Sequence, residues 1–282
     1  MNKVASKVSV IIPCYNEGKL LLETIKSVEK QTYNNIEIIL CNDCSDHEET
    51  NKICEQLSES KRVNYIKLNN HRWTAGARNE AIKHSTGDLI FPLDEDDLLH
   101  ETFLEKVVYH LQTNENIDFV YTDMVLFYEG GKQEVYEKPD FERGRVIAQG
   151  YPGSAILYRK SDYDRTRGYS EDLKGQEDWE YLIQLCGLGL TGGHLAEPLY
   201  YYRQKGKNAS KHMISMKNYG LESKNIIVKK NADTFKKYST EVILGIYAMH
   251  HELWLGHYRS LSPKYHVKWL LIWLYRKFFK KK

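Results

Sequence analysis

Short apolar runs alternate with longer amphipathic segments through the first hundred residues. Four runs rich in β-branched residues are predicted to be strands: Val8–Ile12, Ile36–Cys41, Val63–Leu68 and Asp88–Leu93. Segments of helical length and spacing are predicted to be helices between them: Leu21–Val28, 47–59 and Thr74–His84. Strands that alternate with helices of this length indicate βαβ units. We therefore predict an α/β fold whose mostly parallel, Rossmann-like central sheet is flanked by helices.

The pattern is less regular between residues 100 and 200. It predicts helices over His100–Gln112 and Trp179–Leu188, and a hairpin turn at Glu129–Lys132. From about residue 213 the chain becomes basic and keeps helix-like apolar spacing. We therefore predict an α/β domain over 1–212 and a basic helical C-terminal extension over 213–282.

Polar and acidic residues follow three of the predicted strands at the point where each strand ends. These segments are Cys14–Glu17, Asn42–Asp46 and Asp94–Asp97. A polar turn would explain each of them alone, but ligands of parallel α/β sheets bind outside the carboxyl ends of the strands. Crowded carboxylates also attract a cation, and Mg²⁺ or Mn²⁺ is often held by one or two of them plus substrate phosphates. The three loops together predict a site for a metal and a diphosphate.

Two further motifs carry candidate chemistry. The segment His71–Asn79 places Arg78 in the first turns of a helix, where a guanidinium and the helix N-terminus both suit phosphate. The segment Gly175–Glu180 places Asp178 beside Trp179 at another helix start, as a candidate general base. A surface arginine and a first-turn acid that interacts with the helix dipole are the structural alternatives.

Charge divides the chain into an acidic body and a basic tail. Residues 201–282 hold 18 Lys and Arg against 4 Asp and Glu, whereas residues 1–200 hold 22 against 34. In 264–282, apolar residues and tryptophans at helical spacing are flanked by lysines and arginines, as in helices that lie on anionic membranes. We expect this segment to bind such a surface, with packing on its own domain or on a dimer partner as the alternative. No nucleic-acid-binding motif accompanies the charge, so we expect no nucleic-acid partner.

The five cysteines, at irregular spacing, do not predict a disulfide framework. Cys41 and Cys44 form a single C-x-x-C without a second pair, which disfavours a zinc site. The apolar run Val8–Ile12 is too short for a secretory signal. We expect a cytoplasmic protein that is peripheral on the inner face of the cell membrane.

Taken in order along the chain, these motifs resemble those of the family 2 glycosyltransferases, which have the GT-A fold. The segments that carry the resemblance are Val8–Glu17, Gln31–Tyr33, Ile36–Ile39, Asn42–Asp46, Ala77–Asn79, Leu93–Asp97, Gly168–Tyr169 and Glu177–Trp179. The resemblance spans about residues 6–205. It implies a nucleotide-binding half over 1–97 and an acceptor half over 98–212. It further implies transfer of one sugar, with inversion, from a nucleoside diphosphate sugar, usually a UDP-sugar. The acceptor would be a hydroxyl on a lipid-linked or bacterial surface glycan.

The resemblance also implies a role for individual residues. Asp178 would be the catalytic base, and Asp43 would accept a hydrogen bond from the nucleotide base. The expected donor-binding residues are Pro13, Tyr15, Asn16, Glu17, Asp43, Arg78, Asp94 and Glu95. Acceptor contacts are expected from Gly153, Ser154, Glu177 and Trp179.

The metal site departs from the family pattern. Asp96, with Asp94, would bind Mn²⁺ or Mg²⁺, and relatives often add a histidine shortly after a Tyr-Arg pair. Here the pair Tyr202–Arg203 is followed by no histidine until His212. Three possibilities stay open: His212 takes the role, Lys205 supplies positive charge itself, or the metal has fewer protein ligands.

Two other functions are alternatives to glycosyl transfer. A sugar-nucleotide pyrophosphorylase needs a glycine-rich, arginine-containing loop after the first strand, and Pro13–Glu17 is not such a loop. A non-catalytic, membrane-recruited scaffold that binds nucleotide sugars is expected to have lost Asp96 or Asp178, and both are present. Glycosyl transfer is therefore favoured.

Overall fold

The computed structural model describes residues 6–205 and 211–248, without the side chains of 211–219. The strands are β1 (Val8–Cys14), β2 (Ile36–Asn42), β3 (Val63–Lys67), β4 (Leu89–Pro92), β5 (Leu98–Leu99), β6 (Phe119–Tyr128), β7 (Gln133–Tyr136), β8 (Leu157–Arg159) and β9 (Gly192–Gln204). The helices are α1 (Gly18–Glu29), α2 (Glu48–Ser58), α3 (Trp73–Lys83), α4 (Phe103–Thr113), α5 (Arg143–Gln149), α6 (Lys160–Tyr163), α7 (Glu177–Gly187), α8 (Lys211–Lys230) and α9 (Ala232–Lys237). Residues 239–248 are also helical. The predicted helices and strands are confirmed, with ends shifted by a few residues.

The strands form one sheet in the order β3-β2-β1-β4-β8-β6-β9-β5, with β7 paired to β6. Strands β1 to β4 are parallel, and β6 and β9 are parallel to each other. Strand β8 runs against both β4 and β6, so it joins the two parallel groups. The predicted α/β fold with a mostly parallel sheet is confirmed, and so is the β6–β7 hairpin. The sequence pattern did not predict β8 and β9.

The hydrophobic core lies on both faces of this sheet. In β1, Val8, Val10 and Ile12 pack with one cluster that includes α1 and α4. Ile11 of the same strand points into a second cluster that includes α3 and α7. A strand covered on both faces reads as a continuous apolar run, as this one does.

Part of the predicted extension also belongs to the core of the body. Ile227 of α8 and Val242 are buried in the second cluster. The Asn231 amide nitrogen donates a 2.9 Å hydrogen bond to Glu180 of α7. Residues 211–248 therefore pack on the domain, whereas the predicted amphipathic helix over 264–282 lies outside the described residues. In the described ranges, none of the helices has the length and apolar character needed to cross a bilayer.

Candidate active site

Hydrogen bonds connect the acidic loop after β4, Asp94–Asp97, to the end of β9. Asp97 is fully buried, and its carboxylate accepts hydrogen bonds from the Tyr200 hydroxyl and, at 2.8 Å, from the backbone N–H of Arg203. Burial and the neighbouring Asp96 and Asp94 raise the pKa of Asp97 well above its usual range. The Arg203 guanidinium donates to the Asp96 carbonyl at 2.7 Å. These bonds bring the residue after β9, Lys205, beside the acidic loop.

Lys205 lies between two carboxylates of the predicted donor site. Its ammonium nitrogen is 2.8 Å from an Asp96 oxygen and 2.6 Å from a Glu17 oxygen. Burial alone lowers the pKa of Lys205, but the two carboxylates outweigh it and the pKa rises. Burial raises the pKa of Asp96, which Lys205 opposes. The loop after β1 and the loop after β4 are thus joined through a protein cation.

Arg78 joins the acidic loop to the start of α7. The side chain is fully buried, its Nη2 is 2.6 Å from Asp94 and its Nη1 is 2.9 Å from Glu177. Burial works against the charge, but the two carboxylates outweigh it and raise the pKa of Arg78. The Ser154 hydroxyl donates to the other Asp94 oxygen at 3.3 Å. Because both ends of the guanidinium are engaged, Arg78 fixes the positions of Asp94 and Glu177 in this structure.

Two adjacent carboxylates at the start of α7 have different surroundings. Glu177 is buried, and burial raises its pKa to about 7 although Arg78 opposes the shift. Asp178 is half-buried, and one of its oxygens accepts the backbone N–H of Trp179 at 2.8 Å. The Trp179 indole donates to the Ile147 carbonyl at 3.0 Å and so packs under α5. Of the two carboxylates, Asp178 is the one accessible to a substrate.

A buried lysine on the acceptor side was missed by the sequence reasoning. Lys138 is 6% exposed, and its ammonium donates to the Pro152 carbonyl at 2.8 Å. Its backbone N–H donates to Asp123 at 2.7 Å. Burial lowers the pKa of Lys138 to about 8, while the charges of Asp123 and Asp178 oppose the shift. A lone lysine between a hairpin and a helix gives no local pattern from which this position could be read.

Aromatic rings surround a buried carboxylate at the end of β2. Asp43 accepts the Arg72 backbone N–H at 2.7 Å, and its other oxygen is 2.8 Å from the His71 ring. The His71 ring packs against Tyr15 with centroids 4.1 Å apart and against Trp73 at 4.9 Å. Sequence reasoning singled out this segment for Arg78 and missed His71 and Trp73. Their signal was the pair of aromatic rings just before the helix.

The remaining predicted donor residues shape the loops. Pro13 is buried within β1. Asn16, in a left-handed conformation at φ +63°, donates to Asp46 at 2.7 Å and accepts the His47 backbone N–H. Glu95 accepts the Tyr15 backbone N–H at 2.7 Å. These contacts hold the loops after β1, β2 and β4 together at one edge of the sheet.

The loop between α5 and β8 contacts the acidic loop after β4. Ser154 reaches Asp94, as described above. At Gly150, with φ +62°, an added Cβ would come within 2.6 Å of the Trp179 ring. At Gly153, with φ +73°, an added Cβ would meet no heavy atom within 4 Å. The loop is thus packed at Gly150 and open at Gly153.

The predicted metal ligands do not fit a divalent ion as they stand. Asp94 is paired with Arg78, and Asp96 with Lys205. Within residues 6–205 and the described side chains of 220–248, no group of three His, Cys, Asp or Glu side chains could hold a metal. His212 falls in α8, and its side chain lies outside the described residues.

Comparisons with known proteins agree with this geometry. The family model "Glycosyl transferase family 2" matches residues 9–167. The chain is 33% identical over 204 residues to EpsE of Bacillus subtilis (strain 168), a protein assigned by name to the glycosyltransferases; the match covers 70% of this chain and 73% of EpsE. It is 24% identical over 249 residues to the amylovoran biosynthesis glycosyltransferase AmsB of Erwinia amylovora, over 82% of each chain.

Solved structures show the same fold. The crystal structure of S. aureus TarS 1–349 matches with a TM-score of 0.65 at 19% identity, over 93% of this chain and 77% of that one. TarS 1–349 has also been crystallised with UDP and with UDP-GlcNAc. The family match covers more than half of the chain, and the fold agrees with it. The chain therefore belongs to glycosyl transferase family 2 and is a glycosyltransferase with the GT-A fold.

Proposed function

We propose that this protein transfers one sugar from a UDP-sugar to an acceptor hydroxyl, with inversion at the anomeric carbon. The observation that carries the proposal is the Arg78 bridge, in which one buried guanidinium binds Asp94 and Glu177. Glu177 is next to Asp178 in the chain. The bridge therefore links a donor loop to the helical turn that carries the candidate base, and the proposed single displacement uses both.

On the donor side, the nucleotide base packs against the rings of Tyr15 and His71. The carboxylate of Asp43 accepts its hydrogen bond. The nearby ring of Trp73 is 38% exposed and widens the aromatic surface. Uracil is the proposed base because TarS, which shares the fold, has been crystallised with UDP and UDP-GlcNAc. The Asp43 carboxylate is already positioned by two hydrogen-bonding groups, which lowers the cost of ordering it on binding.

On the acceptor side, Asp178 removes the proton of the attacking hydroxyl. A positioned carboxylate oxygen can accept this proton as a general base. The base and the leaving diphosphate must lie on opposite faces of the sugar in a single displacement. The acidic loop after β4 and the start of α7 come from different parts of the chain, which suits these two roles.

The acceptor is proposed to be a growing surface polysaccharide or its lipid-linked precursor. The support is the similarity to AmsB, whose name places it in amylovoran biosynthesis. The wall formed by Gly153, Ser154 and Trp179 is the proposed acceptor surface. The catalytic domain is proposed to span 1–212, and the basic segment over 264–282 to bring it to an anionic membrane.

Calorimetric titration with UDP, GDP and dTDP, with Mn²⁺ present throughout, tests the donor assignment. We expect UDP to bind at least about tenfold more tightly than GDP, because the proposal places uracil against Tyr15, His71 and Asp43. Asp43→Asn should weaken UDP binding, since it removes the charged acceptor. The control Asp172→Asn changes an exposed carboxylate whose partner is Lys230. Folded protein that binds none of the three nucleotides would overturn the proposal.

A further inference from the structure

Lys205 lies where the donor diphosphate must be neutralised. Its ammonium nitrogen is 2.8 Å from Asp96 and 2.6 Å from Glu17, and the three side chains are 15–22% exposed. Asp96 is the residue predicted to bind the metal directly. The position next to the acidic loop is therefore taken by a protein cation.

Contacts of Arg203 hold the main chain in place two residues before Lys205. Asp97 accepts the Arg203 backbone N–H at 2.8 Å, and the Arg203 side chain bonds both the Asp96 carbonyl and Glu23 at 2.7 Å. The Arg203 guanidinium also lies 4.6 Å from the Phe127 ring centre. Lys205 is thus two residues from a main-chain position with several fixed contacts, which limits how far its ammonium can move.

The chemistry of the ammonium group differs from that of a metal ligand. A protonated lysine has three N–H donors and no lone pair, so it cannot coordinate a metal. The contacts of Lys205 that the structure describes go to two carboxylates, which leaves a third N–H for a phosphate oxygen. A divalent ion at Asp96 would have to displace this cation.

We infer that Lys205 replaces the divalent metal in this enzyme: its ammonium binds the diphosphate of the donor, and nucleotide binding does not require Mn²⁺ or Mg²⁺. The inference rests on the proposed UDP-sugar function. During transfer the diphosphate gains negative charge as it leaves, and a fixed ammonium stabilises that charge without reorganisation.

Titration of the full chain with UDP, in EDTA and in Mn²⁺, tests the inference. We expect the two dissociation constants of the unmodified protein to agree within about twofold. Lys205→Met should weaken UDP binding by about 10- to 100-fold in both buffers, the range for a lost hydrogen bond to a charged group. Lys205→Arg keeps the charge and should retain most of the affinity. The matched control is Lys7→Met, because Lys7 makes a 2.7 Å ion pair with Glu37 at the start of β1, away from the carboxyl ends of the strands.

A second variant, Lys205→His, is expected to gain Mn²⁺ binding. Lys205→His would place an imidazole beside Asp96 and Glu17, and these three groups are ligands that Mn²⁺ accepts. Electron paramagnetic resonance without nucleotide should show Mn²⁺ bound to this variant and not to the unmodified protein. UDP binding by the variant should then become stronger when Mn²⁺ is added.

The possible outcomes separate the two proposals. UDP binding that needs Mn²⁺ in the unmodified protein would overturn the role of Lys205 and leave the UDP-sugar function standing. Equal loss of affinity in Lys205→Met and Lys7→Met would also overturn it. Absence of UDP binding in both buffers would overturn the proposed function, and the inference with it.

Discussion

At the scale of single residues, two neighbouring carboxylates differ in burial and therefore in proposed role. Glu177 is buried against Arg78, and its pKa is raised to about 7. Asp178, the next residue, is half-buried. A general base must reach the substrate, so the proposal assigns that role to Asp178. Glu177 then acts as a positioning residue through Arg78.

Asp178→Asn should reduce cleavage of a UDP-sugar by about 10²–10⁴, the usual worth of a positioned base. UDP binding should change less than about twofold, because the substitution keeps the size of the side chain and lies away from the nucleotide. Hydrolysis rates and calorimetric titration of the same preparation measure both effects. Asp172→Asn is the control. Loss of UDP binding in Asp178→Asn would remove Asp178 from the base role.

Arg78→Met should destabilise the fold by about 3–5 kcal/mol at pH 8, because it leaves the buried Glu177 and the half-buried Asp94 without their cation. The loss should be smaller at pH 5. Without Arg78 the pKa of Glu177 rises further above 7, and a buried acid with a raised pKa loses stability as the pH rises through that value.

Urea unfolding at the two pH values measures this difference. The control is Arg72→Met, which removes a partly exposed bridge to Glu80 and Glu171 and should cost about 1 kcal/mol or less. Equal destabilisation at pH 5 and pH 8 would contradict the assigned role of Arg78.

The sequence could predict residues that sit in local motifs and missed those placed by long-range contacts. Asp43, Asp94 and Asp178 follow a strand or begin a helix, so their places at the site could be read from local pattern. Lys138 carries no such pattern, and the aromatic rings of His71 and Trp73 give a local signal that does not identify their partner. The Lys138 ammonium meets its partner, the Pro152 carbonyl, only in the folded chain. The His71 ring contacts Asp43, which lies 28 residues earlier.

At the scale of elements, α5 and α7 pack together beside the proposed acceptor surface. Gly150 ends α5 in a left-handed conformation and lies against the Trp179 ring of α7. Because Trp179 adjoins Asp178, we expect a change at this contact to shift the proposed base. The two helices therefore act as one support for the acceptor wall.

Gly150→Ala should cost at least about 2 kcal/mol more than Gly153→Ala. Both variants carry the strain of a left-handed alanine, about 1–2 kcal/mol, but only the first overpacks a side chain. Urea unfolding measures the costs, and hydrolysis of a UDP-sugar measures the displacement of Trp179. Equal costs for the two variants would show that the α5–α7 contact yields without strain.

The strands that the sequence missed are short or irregular. β8 has three residues and runs against its neighbours, so it offers no period to detect. β9 contains Pro198 and pairs with β6 through a shifted register. Its position was set by contacts across the chain, such as Asp97 with Tyr200 and Arg203. The first four strands were predicted because each is a short run rich in apolar residues that alternates with segments of helical length.

At the scale of the whole molecule, charge separates a body that binds nucleotide from a basic terminus. The contacts of Ile227, Asn231 and Val242 attach residues 211–248 to the body. Packing contacts with the body therefore continue beyond the predicted boundary near residue 212. The remaining basic segment, over 264–282, is the one predicted to reach the membrane.

Replacement of Lys277 and Lys280–Lys282 by glutamine should weaken binding to anionic vesicles by at least about 100-fold, since each basic residue contributes roughly 1 kcal/mol. Cosedimentation with phosphatidylserine-containing vesicles measures the loss of vesicle binding. The control replaces four exposed lysines of the body, and hydrolysis of a UDP-sugar should be unchanged in both variants. Vesicle binding that survives the tail substitutions would favour packing of the segment on protein.

The most direct test of the account is the anomeric form of the sugar released from a UDP-sugar with water as acceptor. Proton magnetic resonance can follow the reaction with UDP-glucose, UDP-galactose and their N-acetylated counterparts, all α-linked donors. The account predicts that the β anomer appears first and that Asp178→Asn abolishes its release. First appearance of the α anomer, or release that Asp178→Asn leaves unchanged, would contradict an inverting transferase that uses Asp178 as its base.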